Sequence, residues 1–259
     1  WRLRETLMAN RANIPVVILP QTIGPFYCIK NYNIAKSILK SAKFVFVRDA
    51  KFVDELDKME VRYELTKDLS AYMMPEKWDI DIRQNSIGLN VSGLCYSNSF
   101  RSLSGQFECY PLLINAIIQR FQDKGLNVYL IPHSYNYQQP EESNDDIVAC
   151  RAAFDKLSSK KGVYLIDMDL LSPQIKYVIS KMSFFCGTRM HANFAAIYTG
   201  VPLFGLAYSY KFEGAFDANG LNGKEQTTTI NNICFNDIPS IVDKIEQVYI
   251  KLTNNSEDL

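Results

Sequence analysis

The 259-residue sequence has no excess of either charge: 28 Lys and Arg stand against 28 Asp and Glu, and the pI is near 6.9. A protein that grips a nucleic-acid backbone or an anionic membrane needs a wide basic surface, and this balance offers none. No nucleic-acid partner is expected, and membrane association is expected to be peripheral at most. There is no C-x-x-C pair either. Cys28, Cys95, Cys109, Cys150, Cys186 and Cys234 are scattered, which reads as small apolar residues of a reducing compartment and leaves no zinc site legible. The longest apolar stretch, residues 194–208, is interrupted by Gly200, Pro202 and Gly205, so no bilayer-spanning helix is expected. With no signal-peptide pattern at the start, these absences point to a soluble, cytoplasmic chain. Only 12 Gly and 10 Pro occur against 47% hydrophobic residues, which excludes a fibrous or disordered class and allows a core without disulfides.

The chain opens on Trp1 instead of Met, with an amphipathic helix already under way over the first dozen residues. This reads as a fragment or a trimmed chain. Beyond it, short β-rich apolar runs alternate with helical periodicity, the signature of parallel sheets built from βαβ units. Strands are predicted at 15–19, 44–47 and 62–65, with helices at 33–42 and 50–56 between them. A charged, aperiodic stretch at 74–81 reads as a linker. The pattern then restarts, with strands at 86–91, 127–131, 162–166, 183–186 and 202–206. Helices are predicted at 110–123, 145–157, 172–181, 190–198 and 238–252, with Ser172 and Pro173 as an N-cap and first-turn pair. Two α/β domains follow, 1–84 and 85–259, with the last helix packing back on the first.

Open parallel sheets bind ligands beyond the carboxyl ends of their strands, so the polar residues after each strand have priority. They include Gln21, Arg48 with Asp49, Ser92 with Gly93, and His133. After 183–186 come Gly187, Thr188, Arg189 and His191, and after the last strand comes Lys211. Both histidines of the chain fall on strand ends. For each of the three cations, Arg48, Arg189 and Lys211, the plain alternative is a salt bridge that ties down a loop. Arg189 and His191 form the sharpest pair, because Gly187 and Thr188 precede a helix N-terminus whose exposed N–H groups and dipole favour an anion. A guanidinium fork there matches carboxylate or phosphate oxygens. A small, multiply charged anion suits such a site, and a nucleotide-sugar diphosphate would satisfy the same physics.

Two apparent motifs fail. Residues 220–225 imitate a P-loop, but only two residues separate the glycines, Glu225 stands where Ser or Thr is needed and no strand precedes. No G-x-G-x-x-G follows any strand, which weakens a nicotinamide or flavin reading. Asn90-Val91-Ser92 has the form of a glycosylation acceptor but lies in a strand expected to be buried.

The segments Pro20-Gln21-Thr22-Ile23-Gly24-Pro25, Val47-Arg48-Asp49 and Asp68-Leu69-Ser70-Ala71 resemble the polysaccharide pyruvyl transferases. More specific still are Gly187-Thr188-Arg189-Met190-His191-Ala192, Thr199-Gly200-Val201-Pro202 and Tyr210-Lys211. The resemblance implies a fold like that of the GT-B glycosyltransferases, with two Rossmann-like domains facing across a cleft. It implies transfer of the enolpyruvyl part of phosphoenolpyruvate onto two hydroxyls of a sugar, forming a pyruvate ketal and releasing phosphate. The acceptor would be a glycan or lipid-linked oligosaccharide, a precursor of capsule or exopolysaccharide. In the family, the residues matching Arg48, Arg189, His191 and Lys211 are associated with the donor. His191 is then the candidate acid or base, because imidazole titrates near working pH, and His133 assists it or orients the acceptor. Gln21, Ser92, Gly187 and Thr188 complete the expected substrate-binding set, and no metal or cofactor is required. Family members open with a strand and an N-x-G-D-type turn that this chain does not carry, so the N-terminal, acceptor-side domain is expected to be incomplete. The alternatives are a nucleotide-sugar glycosyltransferase or epimerase of the same fold, and a catalytically silent anion- or glycan-binding protein.

Overall fold

The computed structural model describes residues 2–254; Trp1, on which the expectation of a fragment rests, lies outside them. The chain divides into two compact units, one made of the residues up to Tyr72 with Gly214–Leu221, the other of Met73–Glu213 with the residues from Asn222 onward.

The first unit contains α1 (Arg2–Arg11), β1 (Val17–Gln21), α2 (Ile29–Ser41), β2 (Phe44–Val47), α3 (Val53–Lys58) and β3 (Glu64–Leu65), then a 3₁₀ turn at Leu69–Ala71. Its three strands lie parallel in chain order, with Val17 opposite Phe44 and Phe46 opposite Glu64. Period-2 alternation turns Val45 and Val47 toward Ile23, Leu39, Leu56, Met59 and Val61, which form the core. Val17, Leu19 and Phe44, the alternate positions, are exposed.

The second unit contains β4 (Ser86–Asn90), α4 (Gly93–Ser97), α5 (Tyr110–Asp123), β5 (Asn127–Leu130), α6 (Asp146–Asp155), β6 (Val163–Leu165), α7 (Ser172–Ile179), β7 (Phe184–Gly187), α8 (Met190–Ile197) and β8 (Leu203–Ala207). It closes with α9 (Lys211–Asp217), whose latter part belongs to the first unit, α10 (Gly223–Gln226), β9 (Thr227–Thr229) and α11 (Ile238–Asn254). The sheet order is β6-β5-β4-β7-β8-β9, all parallel. Numbered along the unit this is 3-2-1-4-5-6, the doubly wound order of dinucleotide-binding domains, whose direction of winding reverses between β4 and β7. Every residue of β4, β7 and β8 is buried, as expected for central parallel strands covered on both faces. Helical spacing sets Leu113, Ile117 and Phe121 of α5 and Ile241, Ile245 and Val248 of α11 into one core. Phe121, Phe184 and Tyr249 meet there, Tyr249 edge-on to both phenyl rings with centroids 5.4 Å away.

The elements follow the sequence pattern with physical exceptions. β1 starts two residues later than predicted, so Gln21 ends the strand and is exposed. Leu171, not Ser172, is the N-cap of α7, and its N–H is accepted by Gln174 Oε1 at 2.9 Å, the returning half of a capping box. Residues 74–81 carry neither helix nor strand. They are nonetheless docked inside the second unit, where Glu76 accepts from Gln174 and Lys176 donates to Met73 O at 2.7 Å. The stretch that returns to the first unit is Gly214–Leu221, while α11 packs on α5 and β8. The false P-loop is the start of α10, with Asn222 as a cap accepting from Glu225 N at 3.1 Å.

Candidate active site

The reversal between β4 and β7 brings their carboxyl ends side by side, and the polar residues there are organised around one carboxylate. Asp146, the first residue of α6, is fully buried. Its Oδ1 accepts from Gly93 N at 2.9 Å and from Arg189 Nε at 2.9 Å, with Arg189 Nη2 at 2.8 Å. Its Oδ2 accepts from Asn90 Nδ2 (3.1 Å), His133 N (3.1 Å) and Ser134 N (3.0 Å). Asn90, also fully buried, donates to Ile131 O at 3.0 Å and accepts from Arg189 N at 2.8 Å. Three strand-end loops are thereby tied together, and the glycosylation-like triplet is accounted for as a buried amide clamp. Sequence reasoning missed Asp146 because it opens a helix after a long polar loop instead of following a strand.

Arg189 is therefore committed to the protein: besides Asp146, its Nη2 donates to Asn144 O and Oδ1. Burial works against its charge, but the Asp146 carboxylate outweighs it and holds the guanidinium above its ordinary pKa. Arg189 occupies the N-cap of α8 without capping it by its side chain, so the first-turn N–H groups keep the positive end of the helix dipole. The second residue of that turn is His191, which is exposed, its ring edge-on to Phe194 at 5.9 Å.

His133 is half-buried, and its pKa is pushed down to about 4 by desolvation, with His191 and Arg189 adding to the effect and Asp146 opposing it. The two histidines are thus electrostatic neighbours, and His133 is neutral at pH 7. An imidazole in the unfolded chain takes a proton near pH 6.5, whereas this one resists until about pH 4. The stability it contributes is whole above the unfolded value and is lost as pH falls through the folded one. His133→Asn is expected to flatten the melting-temperature curve between those pH values; an unchanged slope would show that the folded chain protonates His133 freely.

Thr188 and Ser92 are fully buried. Thr188 Oγ1 lies 2.7 Å from Tyr110 Oη, which accepts from Ser92 N at 3.1 Å. Ser92 Oγ has no partner among the described residues. Both side chains, expected at the substrate, are fully enclosed by protein. Gly187 and Gly93 are required sterically: a Cβ on Gly187 would sit 2.4 Å from Asn193 Oδ1, and one on Gly93 would sit 2.3 Å from Asp145 O. The second clash is with backbone, so Gly93→Ala is expected to displace α4 from Asp146 and to destabilise the chain by about 2 kcal/mol or more. Denaturant unfolding reads this directly, and a midpoint equal to the parent's would contradict the packing described.

Lys211 opens α9 and has no carboxylate within ion-pair distance among the described residues; its Nζ lies 6.0 Å from the Tyr210 ring centroid. Arg48 lies in the first unit. There its Nη1 donates to the buried Asp68 at 2.7 Å and its Nε to Thr22 Oγ1 at 3.4 Å, and Thr22 in turn donates to Asp49. Asp68 caps the 3₁₀ turn through Ser70 N at 2.9 Å. The three motif segments of the first unit are thus one hydrogen-bonded network, with Gln21 contributing its carbonyl to Arg48 N at 3.3 Å. Burial raises the thiols of Cys95, Cys150 and Cys186 far above their ordinary pKa, so none of these three serves as a nucleophile. Among the described residues no His, Cys, Asp and Glu group is placed to hold a metal, and no helix is long and apolar enough to cross a membrane.

A family model described as polysaccharide pyruvyl transferase matches residues 1–210. No curated protein matches the chain. Among solved structures, the chain is similar to UDP-GlcNAc 2-epimerase from Methanocaldococcus jannaschii, with a TM-score of 0.58 at 9% identity over 95% of this chain and 65% of that one. It is also similar to UDP-GlcNAc 2-epimerase from Neisseria meningitidis bound to UDP-GlcNAc, with a TM-score of 0.57 at 14% identity over 97% of this chain and 67% of the other. At these identities the likeness is one of fold, GT-B-like, and the chain spans about two thirds of the length of these structures.

Proposed function

This chain belongs to the polysaccharide pyruvyl transferase family, and on that premise we propose that it moves the enolpyruvyl group of phosphoenolpyruvate onto a sugar of a cell-surface polysaccharide precursor. The observation that carries the reading is the pairing, at the β4–β7 reversal, of the α8 N-terminus, which the Arg189 side chain does not cap, with two histidines close enough to interact electrostatically. Phosphoenolpyruvate brings a phosphate and a carboxylate within a few bonds. The α8 N–H groups and the Lys211 ammonium offset that charge and the charge that develops as phosphate leaves. Arg48 is retained as a donor-associated cation on the family resemblance.

In the reaction, one sugar hydroxyl oxygen bonds to C2 of the donor as a proton is added to C3. The second hydroxyl oxygen then replaces the phosphate at C2, its proton leaving with the phosphate or through a base. His191 delivers the proton to C3, and neutral His133 accepts a hydrogen bond from an attacking hydroxyl and orients it. Arg189, held by Asp146 and Asn144, sets the direction of the helix that carries His191.

Incubating the full chain with phosphoenolpyruvate and a panel of sugar and lipid-linked acceptors, and following phosphate release, tests the reading. Release that depends on an acceptor supports it; none across a broad panel at saturating donor counts against it. A thermal shift with uridine nucleotides and none with phosphoenolpyruvate would favour a nucleotide-sugar enzyme of the same fold instead.

A further inference from the structure

We infer that Asp146 is a buried counter-ion and positioning residue that fixes Arg189 and the His133 loop and sets how strongly the β4–β7 crevice attracts an anion. The inference rests on the proposed site only in taking this crevice as the place where an anion binds. Asp146 is fully buried, and its two oxygens already serve Gly93 N, Asn90 Nδ2, His133 N, Ser134 N and the Nε and Nη2 of Arg189. A carboxylate offers about four lone-pair sites, so it has no capacity left for a substrate. It acts through the groups it holds. Its charge also cancels that of Arg189 at 2.8 Å. The arginine that the sequence presents as an anion fork therefore contributes direction more than net charge, and the attraction left in the second unit comes from the α8 N-terminus and Lys211. Arg189 also donates to Asn144, whose Oδ1 lies 3.0 Å from Nη2. A second negative charge can be placed there without changing the shape of the side chain.

The test measures binding of inorganic phosphate by calorimetry to the full chain and to two isosteric variants, alongside turnover. Asp146→Asn uncovers the charge of Arg189 and is expected to tighten phosphate binding about tenfold while lowering kcat, because the three donors on Oδ2 lose their acceptor. Asn144→Asp over-compensates Arg189 and is expected to weaken phosphate binding about tenfold. Opposite signs are the signature of a counter-ion, since a residue needed only for folding would weaken binding in both variants. Shifts of the same sign, or none, overturn the inference. Should Asp146→Asn fail to fold, Asn144→Asp decides alone: weakened binding supports the inference and unchanged binding overturns it. Phosphate binding that follows this pattern without any acceptor-dependent turnover would remove the transferase reading and leave the counter-ion intact.

Discussion

Replacing His191 by glutamine is expected to lower turnover about a hundredfold or more while leaving the chain folded. The magnitude is that of a positioned proton donor or acceptor lost from a transition state. The folding expectation follows from exposure: His191 stands at the start of α8 and is exposed, and substitutions at such positions usually stay within about 0.5 kcal/mol. The KM for phosphoenolpyruvate should change little, because the backbone N–H groups of the α8 turn remain. Steady-state phosphate release with the preferred acceptor measures both constants. A parent-like kcat would remove His191 from the chemistry, and a raised KM at unchanged kcat would make it a donor ligand only.

Replacing Arg189 by alanine is expected to act first on stability. The side chain is 11% exposed and its partner Asp146 is fully buried, and removing one member of a buried ion pair costs about 3 to 5 kcal/mol because the other charge is left behind. Asp146 keeps four other donors, which places the expectation at the lower end, about 3 kcal/mol, or a melting temperature lower by about 10 °C for a chain of this size. Donor binding by the folded fraction should weaken as well, since Arg189 N anchors the α8 turn to Asn90 at 2.8 Å. Calorimetric melting separates the two effects. A melting temperature within a degree or two of the parent's would mean that the Asp146–Arg189 pair does not hold the strand ends together.

The parallel sheets were legible because buried strands such as 184–187 and 203–207 are continuous apolar runs and their helices carry a 3.6-residue period. Residues 211–229 were not. The short α9, α10 and β9 have too few residues to show a period, and β9, Thr227–Thr229, is polar in sequence yet pairs with β8. The site was half legible. Both histidines and the Gly187–His191 segment stand where strand-end reasoning put them, because the rule concerns topology and needs only the order of elements. What a linear reading could not supply was the partner of each cation. Arg189 finds Asp146 43 positions away and Arg48 finds Asp68 20 positions away, so each guanidinium that the sequence presents alone is paired with a carboxylate in the fold. Tyr110, whose hydroxyl joins Ser92 to Thr188, reads in sequence only as the start of an apolar helix.

The most direct test is a crystal structure of the full chain with phosphoenolpyruvate or a non-hydrolysable analogue. The expected result is the donor at the β4–β7 reversal, with phosphate or carboxylate oxygens at about 3 Å from the first-turn N–H groups of α8, the methylene carbon facing His191, and the Asp146–Arg189 pair still formed. A donor bound elsewhere, or one that draws Arg189 off Asp146 to become its main ligand, would contradict the site described.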